Sequence, residues 1–332
     1  MERRKLGKSG VEVSAIAFGA WAIGGWQWGG ADRNDAIDAI HACLDHGITA
    51  IDTAPVYGFG QSERLVGEAV KGKRDKFQIL TKFGLRWDTR KGEFHFSTKD
   101  NKGNNIDIRK YSGRKSIIRE CEESLKRLGT DYIDLYQIHW PDSTTPVEET
   151  MGAVAKLIEQ GKVRAVGVSN FSAGQLSEAA ETIQIAGNQV PYSMVRREIE
   201  EEIVPWCIKN HCAILAYSPL QRGLLTGKIT PDYHFNPGDS RPETPYFKIN
   251  NIIETNIFLE KIKPVADQKR IKLSQLVLHW TLQQPGITVV LAGGRDPEQV
   301  RENAAAARVT FTEDEMKFIN DELNELKLDL QP

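Results

Sequence analysis

The sequence predicts an α/β fold, a closed (β/α)8 barrel of the TIM type with a β-hairpin ahead of the repeats and an extra helix after them. Short apolar runs rich in β-branched residues recur at 15–18, 50–52, 78–82, 132–138, 163–167, 187–190, 213–216 and 288–291. They alternate with helical patterns at 33–46, 62–71, 114–127, 147–160, 173–184, 199–210, 255–284 and 296–306. Eight strands each followed by a helical segment is the count of a closed parallel barrel, and an open doubly wound sheet with that many consecutive units is less usual. A chain of 332 residues suits one such barrel with extensions, so 1–332 is read as a single domain.

The flanking elements follow from local chemistry. Residues 1–13, punctuated by Lys8-Ser9-Gly10, read as a hairpin placed to plug the bottom of the barrel. After the eighth unit, Thr312-Glu313-Asp314-Glu315 is a capping-box pattern and starts one further helix. Two long stretches, 85–112 and 230–251, are polar or Gly/Pro-rich and come after strands. They are expected on the catalytic face as lids or substrate loops.

Composition narrows the function. Hydrophobic residues at 40% and charged residues at 27% describe a chain able to bury a core. A net charge of −2 argues against nucleic acid or an acidic membrane surface as partner, since both need concentrated positive charge. No apolar run approaches the roughly 20 residues of a membrane span. The four cysteines are too few for a dense disulfide framework, and no charged-then-apolar signal segment opens the sequence, so a cytoplasmic location is expected. Cys207 and Cys212, with His211 between them, lack the spacing of a zinc site, and buried inert thiols with no metal are expected.

Four polar residues stand at or just beyond the C-terminal ends of the second, third and fourth barrel strands, where such enzymes place their catalysts. Asp52 closes the strand in "IDTAPVYG", Tyr57 follows on its loop, Lys82 ends "ILTK" and His139 ends "IDLYQIH". Singly, each also fits a structural role, as an ordinary Asp52–Lys82 ion pair, a core tyrosine or a capped strand end. Together they solve one chemical problem. Reducing a carbonyl with hydride leaves an alkoxide, which needs a proton donor and a group that polarises the oxygen. Tyr57 is the candidate donor, and Lys82 as a nearby ammonium is expected to lower its pKa. Asp52 would keep a buried Lys82 charged, and His139 would hydrogen-bond and orient the carbonyl.

The segments "IDTAPVYG", "ILTKFG", "DYIDLYQIHWPD", "VGVSNF", "AYSPLQRGLLTGK" and "VVLAGGRDPEQVREN" resemble the aldo-keto reductase superfamily in order and nearly end to end, most closely its bacterial members. The resemblance implies an NADPH-dependent oxidoreductase that converts aldehydes or ketones to alcohols, with Asp52, Tyr57, Lys82 and His139 as its catalytic tetrad. It further implies that Ser169, Asn170 and Gln189 hold the nicotinamide carboxamide and that Tyr217 stacks on the ring. The stretch from Ser218 through Pro219, Leu220, Arg222 and Gly223 to Lys228 would lie across the pyrophosphate, where backbone donors and cations can meet negative charge. Gly293, Gly294 and Arg295 precede a helix just after the eighth strand, a favoured place for phosphate. Many family members have a Lys-Ser pair there, so preference for the 2′-phosphate rests on Arg295, with Asp296 and Glu298 as carboxylates that would favour NADH instead. Gln299 and Asn303 share a helical face and could address the adenosine.

No G-x-G-x-x-G follows a strand, and Gly223 to Lys228 lacks the spacing of a P-loop. Trp21, Trp87 and Trp140 fall on loops of the catalytic face and are expected to line the substrate pocket, which suits small aromatic or aliphatic carbonyls. Trp26 and Trp28 share the first loop with roles left open, and Trp206 and Trp280 read as packing residues. Two other functions compete. One is a Schiff-base lyase using Lys82, which the neighbouring Asp52 opposes. The other is a non-enzymatic nicotinamide-binding subunit resembling potassium channel β-subunits, which lack the histidine that this chain keeps as His139.

Overall fold

The computed structural model describes residues 1–25, 31–236 and 239–331, so the Trp26 and Trp28 positions lie outside the described residues. The chain enters through a hairpin of β1 (Arg3–Lys5) and β2 (Glu12–Ser14), paired antiparallel with Arg3 opposite Ser14. The first barrel unit is β3 (Ile16–Gly19) with α1 (Arg33–Asp45), and the second is β4 (Ala50–Asp52) with α2 (Gln61–Ala69). The third strand, β5 (Gln78–Phe83), is followed by β6 (Leu85–Arg86), β7 (Glu93–Lys99) and β8 (Asn105–Lys110) before α3 (Arg114–Leu128). Then come β9 (Ile133–Ile138), α4 (Val147–Glu159), β10 (Val163–Ser169), α5 (Ala173–Thr182), β11 (Gly187–Pro191) and α6 (Ile203–Asn210). The chain finishes with β12 (Ala213–Tyr217), α7 (Ile249–Gln268), α8 (Leu273–Gln283), β13 (Ile287–Gly293), α9 (Pro297–Ala305) and α10 (Glu313–Glu325).

Strands β3, β4, β5, β9, β10, β11, β12 and β13 form a closed barrel in that order, and β13 returns to β3 with Gly293 opposite Gly19. All eight neighbouring pairs run parallel. Both faces of each strand are covered, which is why β9 reads Ile-Asp-Leu-Tyr-Gln-Ile with every residue buried. Outward residues such as Tyr136 and Ile138 pack on the helix layer, whereas inward ones alternate with them along each strand. In α3 the buried Ile117, Cys121, Leu125 and Leu128 make one apolar stripe against the sheet.

The barrel interior is layered. Its lower part is apolar: Ala17, Ala50, Leu80, Leu135, Leu215 and Val289 pack together with Leu6, Val11 and Val13 of the hairpin, so the hairpin closes the bottom as expected. The next inward position on each of three of these strands is polar, namely Asp52, Lys82 and Gln137, all buried. Above that layer the strands open onto a cavity.

Three segments fold differently from the sequence reading. The 255–284 pattern is two helices, α7 beginning at Ile249 and α8 at Leu273, with Arg270 in the left-handed region at φ 57° between them. Neither glycine nor proline marks that break; α7 packs on α10 while α8 packs on β13. The 85–112 stretch is not loop alone: β6, β8 and β7 form a three-stranded antiparallel sheet in that order. Near the sixth strand, the 199–210 pattern resolves into a single 3-10 turn over Glu198–Glu200 and then α6. The capping box at Thr312 is present, with the Glu315 amide donating to Thr312 Oγ1 at 3.2 Å. The four cysteines are free and buried, and burial pushes the Cys121 thiol up to about 12. Trp280 is fully buried and Trp206 packs partly buried on the core. Among the described residues no helix is long and apolar enough to cross a membrane.

Candidate active site

The strand ends converge on one buried ammonium. Lys82 lies inside the barrel with no exposed surface, and its three N–H donors all find oxygens: Asp52 Oδ1 at 2.5 Å, the Thr53 carbonyl at 3.0 Å and Tyr57 Oη at 3.3 Å. Tyr57 is held by its loop. Gly58, at φ 63°, packs so closely that a Cβ there would sit 1.9 Å from the carbonyl oxygen of Gly24, which ties the loop after β4 to the turn after β3. The Tyr57 ring meets His139 edge-on at 5.6 Å between centroids and stacks beside Trp21 at 6.1 Å. Asp52, Tyr57, Lys82 and His139 are therefore brought together as their strand-end positions predict.

The electrostatics differ from the sequence expectation in one respect. Burial, and then the Asp52 charge, hold the Tyr57 phenol well above its ordinary range, a net rise where a lowering by Lys82 was expected. Burial also pulls Lys82 below the usual lysine range, opposed by Asp52. His139 is pushed well below the ordinary imidazole range by burial and then by Lys82, and it is neutral at neutral pH. The site thus presents a protonated phenol and a neutral imidazole to whatever lies above them.

Above them is a cavity of about 1190 Å³ whose lining includes Trp21, Tyr57, His139 and Trp140 and also Gly294, Arg295 and Gln299. Ser169, Asn170, Gln189 and Tyr217 line it as well, as do Ser218, Pro219, Leu220, Arg222, Gly223 and Lys228, and Gly293 belongs to its lining too. Asn170, Ser218, Gln221 and Arg222 all have left-handed backbones, at φ 63°, 54°, 45° and 55°. Non-glycine residues adopt this conformation at a cost, and such costs gather where a structure must present groups to a ligand. The 230–251 stretch folds over this region: Tyr233, Asn236, Asp239 and Arg241 line the cavity, and Arg241 donates to the Arg222 carbonyl at 3.2 Å.

Several of the expected residues also have partners within the protein. Trp87 is not among the lining residues; its ring packs edge-on against Phe59 at 5.2 Å, because it turns with the β6 strand into the side sheet. The Asn303 amide donates to the Gly293 carbonyl at 2.9 Å and braces the end of β13. Ser169 Oγ donates to the Gln189 carbonyl at 2.8 Å, and Tyr217 Oη donates to Asn170 Oδ1 at 2.9 Å. Gln189 turns its amide down to Asp52 Oδ2 at 2.7 Å. Asp296 caps α9 through the Gln299 amide at 2.8 Å, and Glu298 pairs with Arg301 through Nε at 2.9 Å. Both carboxylates that could have read a ribose are thus engaged within their own helix.

Leu85, His95 and Phe96 line the cavity and were not anticipated. The register of β7 against β8 shifts between Phe94 and Phe96, so His95 is the extra residue of a bulge, the device that re-aims a side chain. Its ring lies 5.1 Å from that of Trp140. The alternation of Phe94 and Phe96 in one segment and of Ile106 and Ile108 in the next was the available signal for this sheet.

A model of the Aldo/keto reductase family matches residues 15–324. The chain is 40% identical over 326 residues to the aldo-keto reductase YhdN of Bacillus subtilis (strain 168), covering 96% of this chain and 93% of that protein. It is 37% identical to the NADH-specific methylglyoxal reductase of Escherichia coli (strain K12), covering 94% and 95% of the two. Among solved structures, the glycerol dehydrogenase from Gluconobacter oxydans superposes with a TM-score of 0.88 at 36% identity, covering 99% and 98%. An aldo-keto reductase from Klebsiella pneumoniae in complex with NADPH matches at 0.72 and 28% identity, covering 97% and 95%. By its barrel and by these likenesses, the chain belongs to the aldo/keto reductase family of oxidoreductases.

Proposed function

We propose that this protein reduces small aldehydes or ketones to alcohols with NADPH, with Tyr57 as proton donor. The observation that carries the reading is the saturated Lys82 ammonium, whose last N–H reaches a cavity-facing phenol at 3.3 Å. The residues present suit a nicotinamide dinucleotide: one cavity is lined by the phenol, by amides and a flat ring, and by the cations Arg222, Lys228 and Arg295. In this reading Ser169, Asn170 and Gln189 take the carboxamide, and Tyr217 supplies the stacking face. The stretch from Ser218 to Lys228 meets the pyrophosphate. Arg295 meets the 2′-phosphate, with Gln299 beside it at the adenosine. When bound, the reduced cofactor supplies the hydride.

The chain's own groups do the rest. His139, neutral, hydrogen-bonds the carbonyl oxygen and orients it, and Tyr57 Oη gives that oxygen its proton. Because burial keeps the phenol protonated across neutral pH, the donor is ready in the reductive direction. Asp52 holds Lys82 in place and charged beneath the phenol. Trp21 and Trp140, with His95 and Phe96, wall the substrate end.

Absorbance of NADPH followed against a panel of aldehydes, ketones and sugars tests the activity, with Tyr57→Phe as the control. A proton donor contributes roughly 10² to 10⁴ in rate, so the variant is expected to lose at least a hundredfold in kcat while binding NADPH normally. A variant that keeps more than a tenth of wild-type kcat removes Tyr57 from this role.

A further inference from the structure

Below the cavity, Asp52 is satisfied on both oxygens by buried groups. Lys82 takes Oδ1, while Oδ2 accepts from Gln189 Nε2 at 2.7 Å and from Gln137 Nε2 at 3.3 Å. The two amides also touch each other, Gln189 Nε2 lying 3.4 Å from Gln137 Oε1. Gln137 has no exposed surface and Gln189 is 3% exposed, yet Gln189 lines the cavity and Gln137 does not.

The barrel makes room for this arrangement. Gln137 stands beside Lys82 in the β5–β9 register and beside Gly167 in the β9–β10 register. A Cβ on Gly167 would lie 2.9 Å from Gln137 Cγ, so the glycine leaves the path along which the glutamine crosses the interior.

We propose that Gln137 is a positioning residue that holds Asp52 permanently, and that Gln189 is shared between Asp52 and the cofactor carboxamide, so that seating the cofactor alters the hydrogen bonding of the carboxylate that governs Lys82 and Tyr57. This rests on the reading of the cavity as a nicotinamide site. Gln189 sits at the cavity with its amide already given to Asp52. Gln189 Nε2 carries two N–H groups, one given to Asp52 Oδ2 and the other 3.4 Å from Gln137 Oε1, so drawing the amide toward a carboxamide loosens its hold on Asp52 Oδ2, and a buried carboxylate oxygen that loses a donor is costly. Gln137 keeps that oxygen satisfied, which lowers the cost of the release. Seating of the cofactor and the state of the Lys82–Tyr57 pair are then coupled through one carboxylate, and by linkage each affects the other.

Gln137→Met keeps the length of the side chain and removes the donor. A hydrogen bond to a charged group of this kind corresponds to about a tenfold to hundredfold change, so NADPH is expected to bind at least tenfold more weakly. The loss is expected in cofactor binding, because the release of Asp52 by Gln189 is no longer compensated. A merely structural glutamine would lower stability and leave the dissociation constant of the folded protein unchanged. An unchanged dissociation constant overturns the proposal.

Infrared difference spectra of the wild type with and without NADP⁺, in which the Asp52 carboxylate band is identified by its loss in Asp52→Asn, make the test independent of how well Gln137→Met folds. A shift of that band on binding supports the coupling, and a band that stays in place overturns it. Wild-type turnover of NADPH with a carbonyl is the control: its absence defeats the reading of the site, whereas its presence with a silent Gln137→Met defeats this inference alone.

Discussion

At the N-terminal end of β9, Asp134 is a buried carboxylate held by Arg74 at 2.7 Å, by Arg164 at 2.8 Å and by the Ile79 amide at 2.9 Å, with Tyr132 between the two guanidiniums. At the C-terminal end of β4, Asp52 is equally buried and equally satisfied, by one ammonium and two amides. The two carboxylates obey the same rule, that a buried charge must be paired and hydrogen-bonded. They differ in where the chain of bonds ends. From Asp134 it ends in guanidiniums on the barrel's outside. From Asp52 it passes through Lys82 to a phenol that faces a cavity of about 1190 Å³. Saturation alone is structural; saturation whose last link opens onto a cavity is what marks the site.

Removing the cation at the catalytic end is the strongest way to break the comparison. Lys82→Met is expected to cost roughly a thousandfold in kcat, because the phenol loses the partner that fixes it over the substrate. Since a cation favours phenolate, its loss raises the phenol further, and the alkaline limb of the reductive pH profile should move up. Steady-state rates between acid and alkaline pH check both, and good activity with an unmoved profile would show that Lys82 is only an ion-pair partner.

At the other end the expected change is in stability. Asp134→Asn should lower the unfolding free energy by about 2 kcal/mol, a figure discounted because Arg164 is half exposed, and leave kcat per folded molecule unchanged. Urea unfolding and active-site titration on the same samples separate the two. A fall in kcat that parallels that of Lys82→Met would erase the distinction between the two ends.

The smallest effect is a graded one at Arg295, another lining residue of the cavity. Arg295→Ala is expected to weaken NADPH by about tenfold to a hundredfold and to leave NADH nearly as before, since only the 2′-phosphate is lost to the cation. Asp296 and Glu298 stay engaged with Gln299 and Arg301 and do not compensate. Quenching of tryptophan fluorescence gives both dissociation constants. Equal losses, or a wild type that prefers NADH, as its Escherichia coli relative is named for doing, would remove Arg295 as the discriminating residue.

Much of the site was legible because a parallel barrel converts sequence position into height. A polar residue closing a β-branched run must emerge at the catalytic face, and Asp52, Lys82 and His139 do so. For Trp87 and Asn303 the sequence says less, for a related reason. A loop position tells that a side chain is near the face but not which way it turns, and here Trp87 meets Phe59 and Asn303 meets the Gly293 carbonyl. His95 stayed hidden because a bulge depends on pairing with a partner strand, not on the strand's own residues.

By itself, then, the sequence determined the barrel, its plug, its capped final helix and the residue types at the strand ends, since alternation, capping and turn chemistry all act within a few residues. The tertiary structure alone decided what Asp52 touches. Gln137 and Gln189 lie 85 and 137 residues away from it, and they meet it only because closure of the barrel brings three strand registers to one height around a glycine that leaves the space open.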